Sequence, residues 1–124
     1  MTDNEIKEQL DGMLTMVHNG EILEAIDKYY HDELVTQEGV NGEPLVGGKK
    51  AYLEGYKEFL ENMSRVTTFK GTPGLTGVNV STIGWELDFD NKLPQWGTVN
   101  FNELAVQEWK DGKIYRETYF YKPE

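Results

Sequence analysis

The chain has 124 residues, a length typical of one domain with a single hydrophobic core, and we take residues 1–124 as one domain. Its formal net charge is −10, from 22 acidic and 12 basic residues, which argues against nucleic acid and anionic membranes as partners. The absence of cysteine excludes disulfides and thiolate chemistry. The polar N-terminus is unlike a signal peptide, and no apolar run approaches the roughly 20 residues of a membrane-spanning helix. A cytoplasmic location is therefore expected.

The first half of the chain carries helical patterns. Thr2 and Glu5 fit a capping box, and apolar residues then recur every three or four positions. These residues are Ile6, Leu10, Met13, Leu14 and Val17. Asn19-Gly20 suits the end of this helix, and a second helix over about residues 21–30 would fold back on the first. A third helix is predicted over residues 49–63, after a loop over residues 39–48.

The second half of the chain alternates between polar and apolar residues, which is typical of strands. A short strand is predicted before the third helix, over residues 33–38. Further strands are predicted over residues 66–70, 78–89, 98–109 and 114–121, with breaks at Thr72-Pro73-Gly74 and residues 90–94. Helices followed by a long antiparallel sheet predict an α+β fold, with the helices packed on one face of the sheet.

The last two predicted strands flank Asp111-Gly112, a pair that readily adopts the positive φ angles of a hairpin turn. Pairing Trp109 with Lys113 gives one mostly aromatic face, because side chains alternate along a strand. This face holds Val99, Phe101, Glu103, Ala105, Gln107, Trp109, Tyr115, Glu117, Tyr119 and Tyr121. The opposite face would be apolar enough to form a homodimer interface. Its apolar members would be Leu104, Val106, Ile114 and Phe120.

Two stretches and the order of the elements indicate a family. The stretches are NGEILEAIDKYYHDELVTQEGVNGEPLVGGKKAY, from Asn19 to Tyr52, and EWKDGKIYRETYFY, from Glu108 to Tyr121. With the element order, they resemble the nuclear transport factor 2-like superfamily, which includes SnoaL-like polyketide cyclases, ketosteroid isomerase and scytalone dehydratase. The resemblance implies a strongly curved sheet wrapped around three helices, a cone with a ligand cavity at its open end, and common homodimerisation.

The resemblance also implies a general base. Aligned with ketosteroid isomerase without a gap from His31 to Gly47, Glu38 takes the place of the base aspartate. Apolar walls would raise the pKa of such a carboxyl group. The alternative is a solvated glutamate at a strand end. Two departures weaken the likeness to that isomerase, because Met13 and Ala105 occupy the places of its hydrogen-bond donors to the dienolate.

Glu117 and Glu103 form a second group of candidates, since the hairpin places both on the aromatic face beside Gln107. Glu117 is a candidate catalytic acid–base partner of Glu38. The alternative is a buried structural acid that accepts hydrogen bonds from Tyr or Trp or pairs with a basic side chain. His18 and His31 are interpreted as helix C-terminal residues rather than bases.

The expected ligand is a small, apolar molecule in the cone, and no metal or organic cofactor is expected. The candidate ligand-binding residues are Met13, Tyr29, Tyr52, Tyr56, Trp85, Phe101, Glu103, Ala105, Gln107, Tyr119 and Tyr121, with Trp96 as a further donor at the mouth. The resemblance favours a cofactor-free acid–base isomerase or cyclase with Glu38 as general base. The alternative is a non-catalytic dimeric binding or scaffold domain in which the acids are structural.

Overall fold

The computed structural model describes residues 1–93, 95 and 97–121, so the expected role of Trp96 lies outside the described residues. Three helices and a curved, unclosed, mostly antiparallel sheet confirm the predicted α+β fold. The helices are α1 (Asp3–His18), α2 (Ile22–Tyr29) and α3 (Gly48–Glu61). The strands are β1 (Tyr30–Glu38), β2 (Met63–Gly77), β3 (Val80–Asn91), β4 (Thr98–Lys110) and β5 (Lys113–Tyr121).

The strands lie in the order β1-β5-β4-β3-β2. All neighbours pair antiparallel except β1 and β5, which run parallel. The last strand therefore lies between β1 and β4, so it is paired on both sides, and its inward-facing side chains reach the concave face. This arrangement positions the acid at the centre of β5, Glu117, beside residues of β1 that are distant in sequence.

Helix α1 supplies the largest apolar surface of the core. Its capping box is present: the Thr2 hydroxyl accepts a hydrogen bond from the Glu5 backbone at 3.2 Å, and the Thr2 backbone N–H donates to the Glu5 carboxylate at 3.1 Å. The predicted apolar face is buried, as the period of 3.6 residues requires. It packs on α2 and on strands β2 and β3, in one core cluster with Ile83, Trp109 and Ile114.

Helix α3, unlike α1, is joined to the rest of the fold without a fully buried face. None of its residues is fully buried, although all of them are described. The side chain of Lys49 binds the carboxylates of Asp27 at 3.3 Å and Asp32 at 3.1 Å, and so ties the start of the helix to the end of α2 and to β1. Gly48 has a φ of +77°, and a Cβ atom there would lie 2.6 Å from the Asp32 carbonyl oxygen, so the helix entry needs glycine. Helix α3 thus forms a wall of aromatic side chains over the sheet rather than part of the core.

Several predicted boundaries were wrong. Strand β1 begins at Tyr30, three residues earlier than expected from position 33, because pairing with β5 extends it. Strand β2 continues through Pro73 instead of breaking there, since an edge strand tolerates a residue without a backbone N–H. Val78 belongs to the β2–β3 turn and not to a strand, and Asn79 in that turn has a φ of +59°.

The hairpin turn is the expected Asp111-Gly112 pair, with φ angles of +55° and +75°. The strand partners differ from the prediction by two residues: Gln107 pairs with Glu117, whereas Tyr115 was expected. One residue of this shift arises at the turn, where Lys110 rather than Trp109 pairs with Lys113. The other arises from a register irregularity beside Trp109, which adds one residue to β5. A register shift of two residues leaves each side chain on the same face of the sheet, so Glu103 and Glu117 still lie on the concave side.

Between the turn and this irregularity the register is shifted by only one residue, which changes the face of Ile114. Trp109 pairs with Ile114, and Ile114 is 0% exposed within the core. The prediction that Ile114 lies on the outer face was therefore wrong. Leu104, by contrast, is 46% exposed on that outer face, as expected.

Replacement of Ile114 by Ala tests this register. We expect the free energy of unfolding to fall by about 2–5 kcal/mol, the usual cost of truncating a fully buried Ile. Leu104→Ala is the matched control and should change stability by less than about 1 kcal/mol, because the side chain is largely exposed. Chemical denaturation of the two variants measures both values, and equal losses would contradict the register.

Candidate functional site

A cavity of about 250 Å³ lies between the helices and the concave face of the sheet. Apolar and aromatic side chains form most of its wall, and two carboxyl groups, those of Glu103 and Glu117, interrupt it. None of the described lining residues is a lysine, arginine or histidine. The lining residues are Met13, Val17, Ile22, Ala25, Ile26, Tyr30, Tyr52, Tyr56, Phe59, Phe69, Trp85, Leu87, Phe101, Glu103, Glu117, Tyr119 and Tyr121.

The Glu117 carboxylate is the most buried charged group of the cavity, with 1% exposure. Its Oε1 accepts hydrogen bonds from the hydroxyls of Tyr30 at 2.7 Å and Tyr119 at 2.5 Å. Its Oε2 accepts one from the Gln107 amide at 2.8 Å. Tyr52 extends the network, since its hydroxyl lies 2.8 Å from that of Tyr119, which already donates its hydrogen to Glu117. Three donors thus converge on one carboxylate.

The orientation of the Gln107 amide follows from a chain of buried donors. The Trp109 indole N–H can only donate, and it does so to the Ser81 hydroxyl at 2.9 Å. Ser81 in turn donates to Gln107 Oε1 at 2.8 Å. The amide must therefore present its nitrogen to Glu117, and this makes the facing carboxyl oxygen an acceptor. We call Trp109, Ser81, Gln107 and Glu117 the relay.

Burial and hydrogen bonding shift the pKa of Glu117 in opposite directions. Burial raises the pKa of its carboxyl group, whereas the hydrogen bonds from Tyr119, Gln107 and Tyr30 lower it, and the net shift is upward. Burial, together with the negative charge of Glu117, also raises the pKa values of the Tyr30 and Tyr119 hydroxyls well above their usual value. Both hydroxyls thus remain donors at any working pH, and the oxygens of Glu117 stay engaged.

Glu103 has a different environment. It is half-buried on β4, between Trp85 on β3 and Tyr121 on β5. Burial raises the pKa of its carboxyl group to about 7; the charges of Glu117 and Glu38 add to this shift, and a hydrogen bond with Tyr121 opposes it. A carboxyl group that titrates near neutral pH can both take and return a proton, as general acid–base chemistry requires.

Tyr56 on α3 supplies a free donor. Its side chain lines the cavity, and its hydroxyl makes no hydrogen bond to any other residue in the described part of the chain. Burial raises the pKa of this hydroxyl, and the charges of Glu117 and Glu103 raise it further, so it keeps its hydrogen. Tyr56 can therefore donate to a ligand oxygen in the same cavity as Glu103.

Glu38 does not occupy the environment expected of it. It is exposed and is not part of the cavity wall, and so the expectation of apolar walls around it was wrong. The physical reason is its position as the last residue of β1, an edge strand, directly before the turn at Gly39. Its carboxylate accepts a hydrogen bond from Tyr121 at 3.2 Å and lines a separate groove beneath α3. Tyr121, a cavity residue, connects it to the site.

The other expected site residues divide into two groups. The first group lies in the cavity wall and consists of Met13, Tyr52, Tyr56, Trp85, Phe101, Glu103, Glu117, Tyr119 and Tyr121. Tyr29, Ala105 and Gln107 are buried and do not belong to the lining of this cavity. Tyr29 turns towards α1, and a Cβ atom added at Gly12 would lie 2.5 Å from its hydroxyl oxygen. Gln107 supports Glu117 instead.

Two residues of the site were missed in the sequence. Tyr30 donates directly to Glu117, and Ser81 fixes the amide of Gln107. Tyr30 reaches Glu117 because β1 pairs with β5, a contact between residues 87 positions apart. No local pattern signals such a pairing. The apolar wall residues from α2 were recognisable as a helix face but not as cavity lining.

Within the described ranges, no helix is both long and apolar enough to cross a membrane. Among the same residues, no group of three or more His, Asp or Glu side chains is arranged to hold a metal ion.

Comparison with known proteins links this geometry to a fold. No protein-family model matches the sequence, and no curated protein matches it. Solved structures do match. A candidate SnoaL-like polyketide cyclase from Mesorhizobium loti aligns with a TM-score of 0.78 and 23% identity, over 94% of this chain and 98% of that one. The chain has the NTF2-like fold.

Two further NTF2-like structures agree. A candidate SnoaL-like polyketide cyclase from Jannaschia sp. CCS1 has a TM-score of 0.73 at 10% identity, over 98% of this chain and 88% of its own. An NTF2-like protein of unknown function from Burkholderia xenovorans LB400 has a TM-score of 0.68 at 16% identity. The alignment covers 100% of this chain and 88% of that one. Identities this low establish the fold alone, so the function of this NTF2-like chain must be argued from its own cavity.

Glu117→Gln tests the relay. The new amide nitrogen would face the nitrogen of Gln107, and a buried donor would lose its acceptor. We expect the free energy of unfolding to fall by about 1–3 kcal/mol. The double variant Gln107→Glu with Glu117→Gln exchanges the two groups and restores every donor–acceptor pair, so it should regain much of this loss. Denaturation curves of the two variants measure the effect, and equal stabilities would contradict the relay.

Glu103 should make stability depend on pH. Its folded-state pKa of about 7 exceeds the usual 4.5, so its stabilising contribution is complete below about pH 4.5 and is lost as the pH rises through 7. In thermal melts, Glu103→Gln should remove this part of the decline and raise the melting temperature relative to the unchanged protein at pH 8. Glu86→Gln, which alters an exposed acid, is the control. Parallel curves for Glu103→Gln and the unchanged protein would refute the assignment.

Proposed function

We propose that this chain binds a small, largely apolar molecule in its cavity and acts on it by acid–base catalysis, with Glu103 as the group that transfers the proton. The observation that carries the proposal is a carboxyl group with a pKa of about 7 in an otherwise aromatic and apolar cavity. Near neutral pH such a group exists in both protonation states, which suits a general base that later returns its proton.

Three side chains have separate roles in this proposal. The Glu103 carboxylate takes a proton from the ligand. The Tyr56 hydroxyl donates a hydrogen bond to the ligand oxygen that gains negative charge. Glu117 is a positioning residue, because its oxygens already accept three hydrogen bonds and its charge raises the pKa of Glu103.

Structural neighbours support an isomerase or cyclase class of reaction. The Mesorhizobium loti and Jannaschia proteins are named as candidate SnoaL-like polyketide cyclases, and a Bacillus subtilis protein with a TM-score of 0.70 is named as a candidate isomerase. Intramolecular proton transfer by a carboxyl group is a reaction of this class. Glu38 remains the competing base, since it contacts the cavity residue Tyr121.

A non-catalytic binding domain is the second candidate. It is favoured by the side chains at positions 13 and 105, where the resemblance to ketosteroid isomerase would place hydrogen-bond donors. Met13 lines the cavity without a donor, and Ala105 is fully buried. In this alternative, Glu103 and Tyr56 would recognise a ligand and transfer no proton.

A base-catalysed model reaction separates the two candidates without knowledge of the natural substrate. In 5-nitrobenzisoxazole, a carboxylate removes the ring C–H proton, the N–O bond breaks, and coloured 2-cyano-4-nitrophenolate forms. We expect catalysis with an apparent pKa near 7, the value of Glu103, and a loss of at least about 10²-fold in kcat/KM for Glu103→Gln.

Two further variants complete this experiment. Glu86→Gln removes an exposed charge from the outer face and should leave the rate unchanged. Glu38→Gln decides between the two carboxyl groups: a large loss there, with little in Glu103→Gln, would transfer the role of base to Glu38. Binding of the probe without any rate enhancement would favour the non-catalytic domain.

We also propose that two copies associate through the outer face of the sheet. Leu104 and Phe120 are 46% and 38% exposed there, beside a half-buried Val106. Sedimentation at micromolar concentration should give about twice the chain mass of 14.2 kDa, and Phe120→Glu should reduce this to one chain. Leu75→Glu, at an exposed position on β2, is the control. A single-chain mass for the unchanged protein would exclude this dimer.

A further inference from the structure

The cavity combines negative charge with aromatic surface, and none of its described lining residues carries a positive charge. Two carboxyl groups line it, and Glu38 lies close enough for its charge to raise the pKa of Glu103. The ion pairs among the described residues lie elsewhere, and none of them reaches Glu103 or Glu117. Hydrogen bonds satisfy Glu117, but they leave the electrostatic cost of its buried charge uncompensated by any opposite charge.

The pairing of the strands places aromatic rings around Glu103. Trp85 is its partner on β3, and Tyr121 is its partner on β5. Phe101 packs edge-on against Tyr121 at a centroid distance of 6.0 Å, and Phe69 packs in the same way on Trp85 at 6.0 Å. Ring faces attract organic cations, and a neighbouring carboxylate strengthens this attraction when water is excluded.

We propose that the ligand of this cavity is an apolar organic cation, an aromatic or aliphatic ammonium compound whose charged nitrogen lies between Glu103 and the surrounding rings. The inference rests on the proposed function, because it assumes that the cavity is the ligand site. A volume of about 250 Å³ sets the size, below that of the usual 300–1,000 Å³ pocket for a drug-sized molecule. An organic anion would be repelled by the two carboxylates, and no described lining side chain could neutralise it.

The test compares three molecules of similar size and different charge. Benzyltrimethylammonium is a permanent cation, neopentylbenzene is its neutral isostere, and 3-phenylpropanoate is an anion. Affinities are measured for the full chain at pH 8 by NMR titration, at low and at high salt. We expect the cation to bind at least about tenfold more tightly than the neutral isostere, the anion not to bind, and the preference to shrink with salt.

Glu103→Gln should bring the affinity for the cation down to that for the neutral isostere, while the affinity for the isostere stays the same or rises. Glu86→Gln removes the same formal charge from the outer face and should keep the preference. This control separates a local contact with Glu103 from the general attraction of a chain with a net charge of −10.

A measurement on the unchanged protein guards against misfolding of the variant. The preference for benzyltrimethylammonium should increase from pH 6 to pH 8, because the probe itself does not titrate whereas Glu103 loses its proton over this range. The other titratable groups near Glu103 are the carboxyls of Glu38 and Glu117 and the hydroxyls of Tyr52, Tyr56 and Tyr121. Burial raises the pKa of each of these hydroxyls, so they do not titrate here.

The outcomes separate this inference from the proposed function. Equal or weaker binding of the cation relative to its isostere would overturn the inference and leave a cavity for neutral ligands. A preference that persists in Glu103→Gln and is constant with pH would overturn it as well. If no probe binds, the proposed ligand site fails together with the inference.

Discussion

The buried carboxylate of Glu117 is the interaction on which the cavity depends. A charge with 1% exposure is tolerated only where donors replace the lost water, and here Tyr30, Tyr119 and Gln107 do so. These donors come from β1, β5 and β4, so one carboxylate joins three adjacent strands at the base of the cavity. The relay behind it continues to Ser81 on β3, and the polar network thus fixes the concave face across four strands.

The charge of Glu117 also affects the pKa of the neighbouring acid, Glu103. Glu103 lies on the same face and lacks comparable donors, so burial and the charge of Glu117 act on it almost unopposed. Two carboxyl groups in one cavity thereby differ in role: one is held by hydrogen bonds, and the other is free to exchange a proton or to face a cation. Helix α3 covers the pair with Tyr52 and Tyr56 without contributing a fully buried residue, so the cavity is closed mainly by aromatic rings.

The sequence by itself determined the helices, the sheet and the face on which the acids lie. Apolar spacing in residues 6–17 is sufficient for α1, because one helical face must be buried. Alternation in β4 and β5 places Glu103 and Glu117 on one side in the predicted register, and the observed shift of two residues preserves this face. The Asp111-Gly112 turn is equally local, because its φ angles suit these two residues.

The different environments of the acids, by contrast, arise from contacts between residues distant in sequence. Glu38 and Glu103 are both strand glutamates, but Glu38 ends an edge strand in solvent and Glu103 lies within the sheet, in the cavity wall. The parallel pairing of β1 with β5, which brings Tyr30 to Glu117, joins residues 87 positions apart. The register next to the turn, which places Ile114 opposite Trp109 in the core, differs by one residue from the one that alternation predicts. The burial and the pKa of each acid depend on contacts between residues distant in sequence, and local sequence patterns do not predict these contacts.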